Sequence, residues 1–133
     1  MSRTVDRTRS LEELERDRWS VPPADATRLV RTVYGLRRQP IGELTIEDLR
    51  LLIRQDVGLP YLLPVAMEAL RDNPMAEGDM YEGDLLSAVL TRSPVMWSDS
   101  AGLLQELRVI VSGLAVLPKP LRQDVERFLA AQF

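Results

Sequence analysis

The chain has 133 residues, enough for one domain around one core, and its 45% hydrophobic and 28% charged residues are ordinary globular proportions. It contains no cysteine and no histidine, which removes a disulfide framework, the usual zinc ligands and the usual nucleophile–base pairs. The net charge is −3, and sixteen of the seventeen basic residues are arginine with Lys119 the exception, a balance that argues against nucleic acid as partner.

Only 5% of the residues are aromatic, so the core must be drawn from Leu, Val, Ile and Ala, a bias that favours helices over sheets. The amino terminus, Met1-Ser2-Arg3-Thr4-Val5-Asp6-Arg7, lacks the apolar run of a signal peptide. No stretch approaches the ~18 apolar residues of a membrane span, and the longest, Val109 to Leu117, is interrupted by Ser112 and Gly113. A cytoplasmic location and no membrane contact are the expectations.

Residues 1–9 are expected to form a flexible arm. Ser10-Leu11-Glu12-Glu13 is a capping-box pattern, in which the serine oxygen accepts from an orphan N–H and the glutamate reaches back. The short helix it opens carries Leu11 and Leu14, with Trp19 beside it. After Pro22 and Pro23 a second helix is predicted from Ala24 to Arg38, with Leu29, Val30, Val33 and Leu36 facing the core. Arg37 and Arg38 stand where a helix C-terminus favours positive charge. Thr45-Ile46-Glu47-Asp48 is a second capping signature, opening a helix with Ile46, Leu49, Leu52 and Ile53 inward. Gly58 stops that helix, and the next starts near Pro60 or Pro64 and runs to Asp72, before the break at Asn73-Pro74. A polar loop and a helix from Gly83 to Thr91 follow, then Ser93-Pro94. Leu103, Leu104, Leu107, Ile110, Val111 and Leu114 predict a sixth helix with a wide buried stripe. Trp97 is expected to staple its start. Pro118 and Pro120 start a last helix with Leu121, Val125, Phe128, Leu129 and Phe133 on one face. The expectation is all-α: a single domain over 1–133, a compact bundle of about six or seven helices.

Ser10-Leu11-Glu12-Glu13-Leu14-Glu15 and Trp19, then Leu36-Arg37-Arg38 with Pro40 and Leu44, begin an ordered set of residues. Glu47-Asp48-Leu49-Arg50-Leu51-Leu52-Ile53, Gln55, Gly58-Leu59, Tyr61-Leu62-Leu63-Pro64, Ala66 and Leu70 continue it. It ends with Asn73-Pro74, Glu77-Gly78-Asp79, Tyr81 and Gly83-Asp84-Leu85-Leu86. In order and spacing these resemble the immunity proteins of bacterial contact-dependent growth inhibition systems. The resemblance covers about two thirds of the chain, Ser10 to Trp97. It implies an antidote, not an enzyme, that binds a toxin domain delivered by a neighbouring cell; such toxins are often nucleases. No cofactor is implied. The alternative is a regulatory helical adaptor for an endogenous protein partner.

The segment after Asn73-Pro74 is the most informative. From Glu68 to Asp84 there are six acids (Glu68, Asp72, Glu77, Asp79, Glu82, Asp84) and one base, Arg71, a balance of −5 that leaves +2 for the rest of the chain. Two Glu-Gly-Asp triplets, 77–79 and 82–84, flank Met80 and Tyr81. An acidic rim around an apolar and aromatic anchor suits a toxin with a basic surface, since complementary charge speeds encounter and a tyrosine can fill a pocket. The candidate toxin-binding residues are Asp72, Glu77, Asp79, Met80, Tyr81, Glu82 and Asp84, with the free protein expected as a monomer. Against this, Asp84 stands where an N-cap oxygen or a dipole-favoured charge would stabilise the following helix. The carboxylates lack the spacing of a calcium loop, so no metal is expected, and nothing else supports a glycosidase pair. Thr45 to Asp72 has the outline of a helix-turn-helix, but its second helix offers Tyr61, Leu62, Leu63, Pro64 and Val65 where base-reading side chains would stand. Arg50 and Gln55 are assigned structural hydrogen bonds.

Overall fold

Both capping boxes form. Ser10 Oγ accepts from the Glu13 N–H while the Glu13 carboxylate accepts from the Ser10 N–H, and Thr45 and Asp48 do the same. The computed structural model describes residues 5–98 and 100–131. In chain order the helices are α1 (Leu11–Glu15), α2 (Arg28–Leu36), α3 (Ile46–Arg54), α4 (Leu59–Asp72), α5 (Asp84–Leu90), α6 (Ala101–Ser112) and α7 (Lys119–Ala130). Short 3-10 turns occupy Ile41–Glu43 and Pro94–Trp97. There is no strand among the described residues, only a lone antiparallel bridge between Ser10 and Pro40. The all-α architecture is as the sequence predicts.

The centre of the bundle is α5, all seven of whose residues are buried. It packs on α3, α4 and α7, while α6 packs on α4. The heavy burial of α4 (Leu59, Leu62, Leu63, Val65, Ala66, Met67 and Leu70) places its apolar face in the core. Its start is set by Gly58, whose φ of +65° is left-handed and whose missing Cβ would lie 2.6 Å from a Leu11 methyl. Pro60 sits in the first turn and Pro64 inside the helix.

The structure corrects several expectations. α2 begins at Arg28 and not at Ala24, because Ala26 closes a turn onto the Pro23 carbonyl and Thr27 caps the helix through the Val30 N–H. Of its expected core face only Val33 and Leu36 are buried; Leu29 and Val30 are exposed. The stripe of α6 is shallower than its periodicity suggests: Leu107 and Val111 are buried, while Leu103, Leu104, Ile110 and Leu114 are half-buried. On α7 Leu121, Val125 and Phe128 are buried and Leu129 is exposed. Phe133 lies outside the described residues. So do residues 1–4 of the expected arm, but from Val5 the chain is tied down: the Arg7 and Arg9 carbonyls accept from the Gly42 and Ile41 N–H groups, and Arg7 pairs with Glu68. Among the described residues no helix is long and apolar enough to cross a membrane.

Candidate functional site

The acidic loop between α4 and α5 is shaped by two carboxylates that point into it. Asp84, 3% exposed, accepts from the Gly78 N–H at 2.7 Å, the Met80 N–H at 3.0 Å and the Tyr81 N–H at 3.3 Å. Glu47, in the first turn of α3, accepts from the Asp79 N–H at 2.8 Å and from Arg50 Nε at 2.6 Å. Arg50 Nε also lies 3.7 Å from the Asp84 carboxylate, so one guanidinium balances both acids. Its hydrogen bond holds Glu47 below the usual carboxylate range, against the opposing effect of burial, and Glu47 in turn raises Arg50. Gly78 fits because it has no side chain: a Cβ there would lie 2.6 Å from Glu47 Oε1 and 3.1 Å from Asp84 Oδ2.

With the backbone gripped from beneath, Glu77, Asp79, Met80 and Glu82 are exposed, Met80 at 66%, and Tyr81 is half-buried. Asp72 is exposed at the end of α4. Six of the seven candidate residues therefore reach the surface. Asp84 does not. Its capping role is also different from the one read in the sequence: Gly83, at φ +87°, is the N-cap and Asp84 the first helical residue, with its carboxylate turned back to the N–H groups of the loop. The one base of the acidic segment, Arg71, reaches out to Glu106 at 2.7 Å. Among the described residues no three His, Cys, Asp or Glu side chains are grouped to hold a metal ion. The arrangement presents charge on a fixed backbone, and it can steer and seat a basic partner.

A second surface was not singled out by the sequence. Residues 16–38 carry six arginines and two aspartates, a balance of +4 opposite in sign to the loop. Here Arg37, expected at a helix end, is 1% exposed. It donates to Glu15 at 2.9 Å and to the Asp17 carbonyl at 2.8 Å, and its guanidinium lies 4.0 Å from the Trp19 ring centroid. Trp19 meets Tyr34 edge-on at 4.8 Å. These rings, with Leu29, Val30, Val33, Gln55 and Val57, line an apolar groove of about 220 Å³. Arg50 is in the loop cluster as a structural residue, but Gln55 is exposed on this groove. The signal available for the groove was the arginine excess beside Leu29 and Val30.

A family model described as CDI immunity proteins matches residues 13–107 of the chain, a span that contains both surfaces. No curated protein matches it.

Proposed function

The chain belongs to the CDI immunity proteins, and we propose that it acts in the cytoplasm as the antidote to a toxin domain delivered by contact-dependent growth inhibition, binding that toxin directly and one to one. It forms and breaks no bond in doing so. The docking surface is the acidic loop, with Asp72, Glu77, Asp79, Met80, Tyr81 and Glu82 as contacts and Asp84 as the group that fixes their backbone. The observation that carries this reading is the double grip of Glu47 and Asp84 on the loop amides, which sets an exposed, uncompensated acidic edge before any partner arrives. A preformed edge avoids the ordering cost that a mobile loop would incur on binding. The toxin surface it complements is basic, as a nuclease that must hold phosphate would offer.

The test is binding of the purified chain to the toxin domain encoded beside its gene, followed by titration to a stoichiometric end point and an assay of toxin activity. One chain should silence one toxin. A complex that forms without loss of toxin activity would count against neutralisation, and a complex indifferent to reversal of the loop charges would move the docking surface elsewhere.

A further inference from the structure

The groove beside Trp19 is left unused by the toxin reading, and it has three properties that define what it can take. It is small: about 220 Å³ is below the ~300–1,000 Å³ of small-molecule pockets and suits one side chain. Two aromatic rings, Trp19 and Tyr34, form one wall, and Arg37 beneath Trp19 holds that wall in place. Its surroundings are basic, for among the described residues Arg31 on α2 and Arg38 beside it make no ion pair, and Arg38 sits against the Trp19 carbonyl. The fitting occupant is a flexible apolar side chain that likes aromatic walls and arrives with acids on either side.

This chain presents that group itself. Met80 is 66% exposed and stands between Glu77 and Asp79 on one side and Glu82 on the other. Methionine fills irregular gaps, and its sulfur gains from contact with aromatic rings. The outward charges are opposite in sign: Glu77, Asp79 and Glu82 are exposed around Met80, and Arg31 and Arg38, which make no ion pair among the described residues, are exposed beside the groove. The loop cannot reach its own groove. Its amides are bound to Glu47 at the start of α3, whereas Gln55 and Val57 of the groove lie past the end of that helix, ~12 Å further along the axis at 1.5 Å per residue. A second molecule must supply the side chain.

We infer that the free protein associates with itself head to tail, Met80 of one copy seated between Trp19 and Tyr34 of the next. The expectation of a monomer then holds only in dilute solution. Such a contact is heterologous, so it leaves one loop and one groove open at the ends and can extend. It is small and charge-driven, hence weak and weakened by salt. A toxin that takes the acidic loop would dissolve it, although the association itself does not rest on the toxin reading.

Sedimentation of the purified chain from micromolar to about millimolar concentration tests this, alone and with two variants. Wild type should exceed the 15.1 kDa of one chain as concentration rises, and high salt should reverse the rise. Met80→Glu spoils only the loop and Val30→Glu only the groove, so each alone should stay at one chain. Mixed in equal amounts they should recover a species of two chains and nothing larger, because one intact loop then meets one intact groove. Circular dichroism confirms that both variants keep their helices, and Met80→Leu, which keeps the shape, should associate. A wild type that remains a single chain throughout would overturn the proposal. So would a variant that still associates, or a mixture that stays monomeric.

Discussion

The arginine-rich segment around α2 and the acidic loop before α5 both use charged side chains to hold backbone in place, but they divide the work differently. Around α2 the structural charge is one cation, Arg37, enclosed by Glu15, the Asp17 carbonyl and the Trp19 ring, and the surface it supports is apolar. In the loop the structural charges are two anions, Glu47 and Asp84, that accept backbone N–H groups, and the surface they support is more anions. A buried cation needs carbonyls and carboxylates, which must come from elsewhere in the chain. A buried carboxylate needs N–H donors, which a tight loop supplies from its own turn. Damage at Arg37 should therefore reach α1 and Trp19, and damage at Glu47 should uncouple the loop from α3, while damage at Asp84 stays within the loop.

The largest effect should follow Arg37→Met. It leaves Glu15 without its cation, removes the support beneath Trp19 and should lower the unfolding free energy by about 3 kcal/mol, the low end for breaking a buried pair because Glu15 is partly exposed. Denaturant melts measure this, and Trp19 fluorescence should shift in the folded state. A loss under about 1 kcal/mol would mean that the enclosure of Arg37 adds nothing beyond a surface pair.

Glycines sharpen the contrast. Gly83 has φ +87°, and a Cβ there would lie 2.4 Å from a Leu121 methyl, so Gly83→Ala should cost about 2 kcal/mol through strain and overpacking. Gly35 in α2 has nothing within 4 Å of the added carbon. Gly35→Ala should therefore raise stability by about 0.5 kcal/mol as a helix-interior replacement. Equal effects at the two sites, read by thermal melts, would contradict the packing described here.

Glu47→Gln separates the loop cluster by pH. Glu47 is held below its ordinary value of 4.5 by Arg50 and the Asp79 N–H, so the stability it contributes is present above the unfolded value and is lost as pH falls through the lower folded one. Gln keeps the acceptor oxygen but loses the charge, costing about 1.5 kcal/mol at pH 7. The difference between the two proteins should shrink below about pH 4. A gap that does not narrow at all as pH falls below the ordinary carboxylate range would show that shape, not charge, sets the role of Glu47.

Much of the frame was legible because it is local. Ser10 with Glu13 and Thr45 with Asp48 are three residues apart, and the capping box needs nothing further. The α6 periodicity identified a helix correctly, yet periodicity cannot give depth, which depends on how many neighbours are left to cover a stripe. The sequence offers Asp84 as an N-cap oxygen or as a charge favoured by the helix dipole; Gly83 takes the left-handed cap position, and Asp84 stands in the first turn with its carboxylate bonded back to the loop amides, a direction the sequence does not give. Glu47 and Arg37 were beyond reach for a different reason. Their partners lie 32 and 22 residues away, and no spacing rule joins a first-turn glutamate to an amide in a later loop. Family resemblance found the segment, 77–84, but not which of its acids face inward.

The smallest effect on folding, and the one that bears most directly on function, is expected from reversing the outward acids together, Glu77, Asp79 and Glu82 to Lys. None of the three makes an ion pair among the described residues, and all are exposed, so unfolding free energy should change by no more than about 0.5 kcal/mol. The Asp79 N–H can still reach Glu47, because the substitution leaves that backbone donor in place. Toxin association should nevertheless slow by about tenfold or more at low salt, since steering acts through the charges that remain uncompensated and not through those turned inward. Wild-type association should slow as salt rises and the Debye length falls below ~8 Å, whereas the variant should lose that dependence. Stopped-flow association at several salt concentrations, paired with a denaturant melt, reads both quantities on the same protein. A stability loss above about 1 kcal/mol would place these acids with Glu47 and Asp84 as structural groups. An unchanged association rate would leave the loop as a well-built surface that the toxin does not use.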